Sequence, residues 1–344
     1  MRRRRTAHHG LSCVLALALS GVACATTGAG ATSEAVTALD DPAPRPGMPT
    51  LLVAMPSSAD FVAVRRTLVA EVNKNFNVST LVVTRETSPA DIAAAIDRVQ
   101  PVCAVLMNNL TVNLFQAYEA AHKERPALPT VVVMVSFLDE VRGQLRRATG
   151  ISYEVPGVTA FVNLRAILDK PLRRVGVVYR PVFKHFIKRQ QVPAEREHIS
   201  IVGRELPREF SAEDLRQALH GLTADDKVDA LWMLNDNLLL RDAQFLDETW
   251  RVELRAAKVP LVVGVPNLVD PSSPLGTLAV VPDHEALGLQ TGNLIFDLAE
   301  SGWRAEEHPI AMPLSVQTIV DLRQSRSLFQ LRPDALGRID KALE

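Results

Sequence analysis

From residue 50 onward, short runs of branched apolar residues alternate with segments whose apolar positions recur every three or four residues. That is the pattern of buried strands covered by amphipathic helices. Residues 50–55 read as a first strand. A helix follows, with Ser57, Ser58 and Asp60 as N-cap candidates and an apolar face of Phe61, Val64, Leu68, Val72 and Phe76. Residues 78–84 form a second strand. Ser88-Pro89-Ala90-Asp91 is then a strong helix start: a serine cap, a proline where its missing N–H costs nothing, and an acid in the first turn. Strands at 102–107 and 130–135 flank a helix at 111–123.

The cycle restarts after Pro171. Strands are expected at 174–179, 198–203, 229–234 and 259–265, and helices at 183–191, 211–222 and 243–256. The roughly 295 residues from Thr50 exceed one compact sheet of this kind and suit two lobes. The fold class expected is α/β: two doubly wound parallel-sheet lobes joined by a three-crossing hinge. The crossings are read at 150–153, 276–281 and 310–314, with a helix at 283–300 returning to the first lobe. The N-terminal lobe comprises 50–150 plus 282–309, and the C-terminal lobe 151–281 plus 310–344.

The start of the chain is of another kind. Arg2 to Arg5 precede an apolar stretch, 11–23, that is short for a membrane span and ends in Ser20-Gly21-Val22-Ala23-Cys24. Residues 1–23 read as an export signal, and the small residues before Cys24 resemble the lipobox of bacterial lipoproteins, whose cysteine is acylated and becomes the new N-terminus. An ordinary secretory signal cut nearby is the alternative. Residues 24–49, rich in Ala, Thr, Gly and Pro, read as a flexible tether. Losing four arginines takes the formal charge from −1 to −5, which argues against nucleic acid as a partner. Cys103, inside an apolar run, is left without an intrachain partner once Cys13 is cleaved and Cys24 acylated. No metal-ligand spacing of Cys or His surrounds it, and no cofactor is expected.

Ligands of open parallel sheets bind beyond the carboxyl ends of the strands, where helix N-termini point their N–H groups. In the first lobe that places Ser57 and Ser58, Asn108 and Asn109, and Ser136 with Phe137 and Asp139 at a cleft. In the second it places Tyr179 and Arg180, Asn235, Asp236 and Asn237, and Asn267 with Asp270. Each has a structural reading beside the functional one. The serines can cap a helix, the asparagine pair can stabilise its own turn, and Tyr153 on the first crossing can wall a cleft or pack as hinge core. Asn235-Asp236-Asn237 interrupts a Leu- and Met-rich run, which favours a ligand or a hydrogen-bonded loop. Asp236 is the expected charged contact, receiving a ligand ammonium while N–H groups near Ser58 receive its carboxylate.

Thr149-Gly150-Ile151-Ser152-Tyr153-Glu154-Val155-Pro156, Val175-Gly176-Val177-Val178-Tyr179, and Val228-Asp229-Ala230-Leu231-Trp232 running into Asp236-Asn237 resemble the ABC-transporter substrate-binding lipoproteins of the tryptophan- and tyrosine-binding group. Lys258-Val259-Pro260 through Gly276 to Leu287-Gly288 continues the likeness. The resemblance implies the type I periplasmic-binding-protein fold, closing around an amino-acid-like ligand and serving an ABC permease. The segment Arg180 to His185 and the pair Asn108-Asn109 depart from the family's binding pattern, so ligand identity does not carry over. Ala25 after Cys24 lacks the aspartate that retains many Gram-negative lipoproteins at the inner membrane, leaving an outer-membrane address open.

Three function classes remain: a solute receptor of an importer, a ligand-binding sensor or accessory lipoprotein of the same fold, and an enzyme. Against the last, the chain has no nucleophile elbow, phosphate-cradling glycine loop, HExxH or Cys–His pairing. His122, His185, His198, His220, His284 and His308 are scattered.

Overall fold

The computed structural model describes residues 39–270, 275–328 and 330–344, without the side chains of 140, 327 and 328. The expectations for the signal segment, Cys24 and the linker as far as 38 lie outside the described residues.

The first lobe is built from β1 (Thr50–Met55), α1 (Ala59–Val72), β2 (Asn77–Val82), α2 (Pro89–Val99), β3 (Cys103–Met107), α3 (Asn109–Ala121), β4 (Thr130–Val133), α4 (Leu138–Arg142) and β5 (Ala148–Gly150). Its five strands run parallel in the order β2-β1-β3-β4-β5. β1, β3 and β4 are buried along most of their length because helices cover both faces. Ser88 and Asp91 form the reciprocal cap that the sequence announced for α2.

The second lobe begins with α5 (Gly157–Ile167) and continues through β6 (Arg174–Tyr179), α6 (Lys184–Arg196), β7 (Ser200–Glu205), α7 (Ala212–His220), β8 (Ala230–Trp232), α8 (Ala243–Glu248), α9 (Trp250–Ala257), β9 (Leu261–Val263) and β10 (Leu278–Pro282). The chain then returns to the first lobe as α10 (His284–Glu300), which packs on α1. It ends in the second with β11 (Val316–Asp321), α11 (Leu322–Leu328) and β12 (Lys341–Leu343). The seven strands are ordered β12-β11-β10-β9-β8-β6-β7, and only the β10–β11 pair is antiparallel.

Three expectations are corrected. Residues 276–281 are not a crossing: Leu278–Pro282 is an interior strand, β10, paired on both sides, and the chain leaves the lobe only after it. The expected helix at 243–256 is two helices, since Thr249 takes φ −118° and ψ −84° and interrupts the helical run. The tether also stops short of Pro49. Arg65 of α1 is buried and needs a counter-charge. Asp41 supplies it at 2.5 Å and also accepts the N–H and hydroxyl of Thr80. Asn77 ties down Arg45 and Met48. Residues 39–49 therefore lie on the first lobe.

The lobes are joined where three strands of chain run side by side. Ile151 pairs with Ala311 as a parallel bridge, with Ala311 donating to Gly150 and Ser152 donating to Ala311, both at 2.9 Å. Asp283, which caps α10, donates its N–H to Ser315 at 3.0 Å. Gly150 is required at the first of these because a Cβ there would strike the carbonyl of Val132.

Candidate functional site

The carboxyl edges of both sheets carry the polar residues that the sequence placed there, and their uses differ. Ser57 and Ser58 are exposed; Ser58 is the N-cap of α1, but its hydroxyl makes no cap bond. Asn108, at φ 82°, turns its side chain onto the N–H of Leu110 at 2.7 Å. Asn109 and Ser136 are brought together: the amide donates to the Ser136 carbonyl at 3.1 Å and accepts its N–H at 3.0 Å, clamping the loop after β3 to the loop after β4. Asn237 and Asn267 are exposed. Tyr179 lies against Gly203, where burial foremost raises its phenol above the ordinary range. Among the described residues, no hydrogen bond or ion pair joins Ser57, Ser58 or Asn108 to Asp236 or Asn237.

Asp236 is already engaged. Its side chain is 1 % exposed and takes a two-point contact from Arg180, Nε to Oδ2 at 2.6 Å and Nη2 to Oδ1 at 2.8 Å. It also accepts the Leu238 N–H at 3.0 Å. The pairing follows from topology, because β6 and β8 are neighbours and Arg180 and Asp236 follow their carboxyl ends. The expected role of Asp236 as a free receiver of a ligand ammonium is thus displaced by an internal cation.

Tyr153 on the first crossing donates or accepts across 3.0 Å to His284 Nε2, and His284 Nδ1 lies 3.4 Å from Asp60. This links the first crossing to the starts of α10 and α1. The hydrogen bond to His284 holds the Asp60 carboxyl below its ordinary range, and burial raises the Tyr153 phenol.

An aromatic contact between the lobes joins Phe137, expected at the cleft, to Phe183 and Phe186, which were not. Phe137, after β4, takes φ 56° and projects onto the second lobe. Its ring centroid lies 4.3 Å from that of Phe183 and 5.4 Å from that of Phe186, edge-on to the latter. Phe186 in turn contacts Trp232, 5.9 Å away. Glu154, one residue beyond Tyr153, accepts the Phe137 N–H at 2.8 Å. Burial, reinforced by the nearby negative charge of Asp139, pushes the Glu154 carboxyl up to about 7.

Two cavities flank this contact. A groove of about 470 Å³ is bounded by Phe137, Asp139, Glu154, Thr159, Phe186 and Arg189, together with Met312 of the third crossing. A much smaller void of about 30 Å³ lies over the ends of β8 and β9, walled by Tyr153, Glu154, Trp232 and Asn235. Phe137, Glu154, Val155 and Phe186 border both. The larger space has the size of ordinary small-molecule sites. The sequence signal that could have found it is an acid, Glu154, directly after the crossing read at 150–153.

No protein-family model matches the chain, and no curated protein matches it in sequence. Solved structures do match. A substrate binding protein with adhesive properties from Clostridium difficile, in its ligand-free, open structure, aligns over 86 % of this chain and 99 % of its own at 15 % identity and a TM-score of 0.64. An ABC domain in complex with L-Trp from Streptococcus pneumonia covers 86 % and 100 % at 15 % identity and 0.56. A conserved domain protein from Vibrio cholerae covers 86 % and 100 % at 17 % identity and 0.56. At such identities the likeness is one of fold. The chain has the two-lobed α/β fold of ABC-transporter substrate-binding proteins, the type I periplasmic-binding-protein fold.

Proposed function

We propose that the protein is an extracytoplasmic solute-binding lipoprotein, anchored by Cys24, that captures a small amino-acid-like ligand between its lobes as the receptor of an ABC import system. One observation carries this reading. A groove of about 470 Å³ is walled by both lobes and by two of the crossings that join them. A ligand there would touch both lobes and two of the crossings, and only such contact, differing between open and closed forms, shifts that equilibrium. Ser57, Ser58, Asn108, Asn109, Ser136, Tyr153, Tyr179, Asn237 and Asn267 remain the proposed polar surround, with Asp236 acting through Arg180. A sensor or accessory lipoprotein without a transporter is the second reading, favoured by Ala25 directly after Cys24.

We infer binding without turnover and no nucleic-acid partner. The acid–base chain of Asp60, His284 and Tyr153 ties a crossing to two helix starts and satisfies its own members. The test is a thermal-shift screen of amino acids and related small molecules, followed by mass spectrometry of the bound compound. A stabilising ligand recovered unchanged supports the reading; one recovered chemically altered overturns it.

A further inference from the structure

We propose that the groove between the lobes selects an organic cation, an ammonium on an apolar body, with Glu154 as its counter-charge. This rests on the groove being the ligand site named above. Glu154 lines the groove beside the rings of Phe137 and Phe186, and its Oε1 is used by the Phe137 N–H. Among the described residues, no basic side chain forms an ion pair with Glu154.

The charged groups around it leave a negative balance. Asp139, after β4, and Arg189, on α6, lie on the groove wall and pair with each other at 3.3 Å, both more than half exposed. That pair cancels itself at the rim and leaves Glu154 uncompensated. Behind Glu154, Tyr153 faces His284 and Asp60, whose contacts are with one another. Arg180, on the far side of Phe183, is committed to Asp236. A carboxyl with low access to water and no internal cation is stabilised in its charged form by a ligand that brings one. Phe137 and Phe186 offer ring faces and edges to the apolar remainder, and an ammonium beside them gains further attraction.

The burial that raises Glu154 makes the preference readable as a pH dependence. With the free carboxyl titrating at about 7, its ionised fraction rises about tenfold between pH 6 and 8, and the affinity of a permanently charged ammonium rises with it.

The experiment measures binding of three probes of one shape, 2-phenylethylamine, 2-phenylethanol and 3-phenylpropanoate, by calorimetry on the full chain at pH 6, 7 and 8. The amine is expected to bind at least tenfold more tightly than the alcohol at pH 8, to strengthen about tenfold from pH 6 to 8, and to lose both features in Glu154→Gln. The pH series on the parent needs no variant, and glutamine keeps the acceptor for Phe137. If the alcohol or the carboxylate binds the parent as tightly as the amine, the cation preference is wrong while the groove stands as a ligand site. If none of the three binds, the inference fails, and the receptor reading then rests on the thermal-shift screen alone.

Discussion

Glu154, just beyond the first crossing, accepts the backbone N–H of Phe137 from the first lobe at 2.8 Å, and that bond helps hold Phe137 in a left-handed conformation with its ring on the second lobe. A bulky side chain at φ 56° is costly unless its surroundings enforce it. Here the enforcing group is a titratable one. The carboxyl is raised to about 7 while the contact is made, against 4.5 when water reaches it. Burial of the carboxyl therefore favours the folded state most fully below the lower value, and that advantage is lost as pH rises through the upper one. Stability should fall by up to roughly 3 kcal/mol between pH 5 and 8. Thermal unfolding of the parent and Glu154→Gln across that range tests this, with the variant expected to be flatter. Phe137→Ala should uncover Trp232 and shift its emission to the red.

The pair Arg180–Asp236 is asymmetric, with side-chain exposures of 22 % and 1 %. Removing the arginine strands a buried carboxylate, whereas removing the aspartate leaves a guanidinium that water can still reach. Arg180→Ala should cost about 3–5 kcal/mol. Asp236→Ala should cost less, about 1–3 kcal/mol, including the lost acceptor of the Leu238 N–H. Urea denaturation of both variants measures the order; equal costs would show that the buried charge is not what the pair serves.

The return helix α10 meets α1 through glycine. A Cβ at Gly288 would overlap the Thr67 hydroxyl and the Val64 carbonyl, and one at Gly292 would lie 2.7 Å from Glu71 Cγ. Since α10 follows the second crossing, its seat on α1 fixes that crossing. Gly288→Ala should destabilise by about 1–3 kcal/mol through overpacking, and Gly292→Ala by less, because Glu71 is a flexible side chain. Denaturant midpoints of the two variants check this.

If Cys24 carries lipid, a palmitate analogue fed to cells should label the protein, and Cys24→Ala should release it into the soluble fraction. Among the described residues no helix is long and apolar enough to cross a membrane. Unchanged membrane association of the variant would end the lipoprotein proposal.

Local chemistry was legible where it is self-contained. The strands around Leu52, Val105 and Val132 read from their apolar runs, and the serine cap at Ser88 read from the proline and acid that follow it. α5 buries Ala160, Phe161, Leu164 and Ile167 at helical spacing, but no helix was expected at 157–167, between the first crossing and the second series. What stayed hidden depends on adjacency between distant segments. Arg180 finds Asp236 because β6 and β8 neighbour one another, 56 positions apart in sequence. Phe137 reaches the second lobe because of a left-handed backbone for which its sequence gives no sign. Residues 39–49 look like linker by composition, yet buried Arg65 and Asn77 hold them through Asp41 and Arg45.

Closure of the two lobes around a ligand in the groove beside Glu154 is tested most directly by small-angle scattering. The compound that most raises the melting temperature should reduce the radius of gyration of the parent, and less so in Thr159→Trp, which fills the groove from α5. Binding that leaves the radius unchanged, or that maps by hydrogen exchange to one lobe alone, would contradict it.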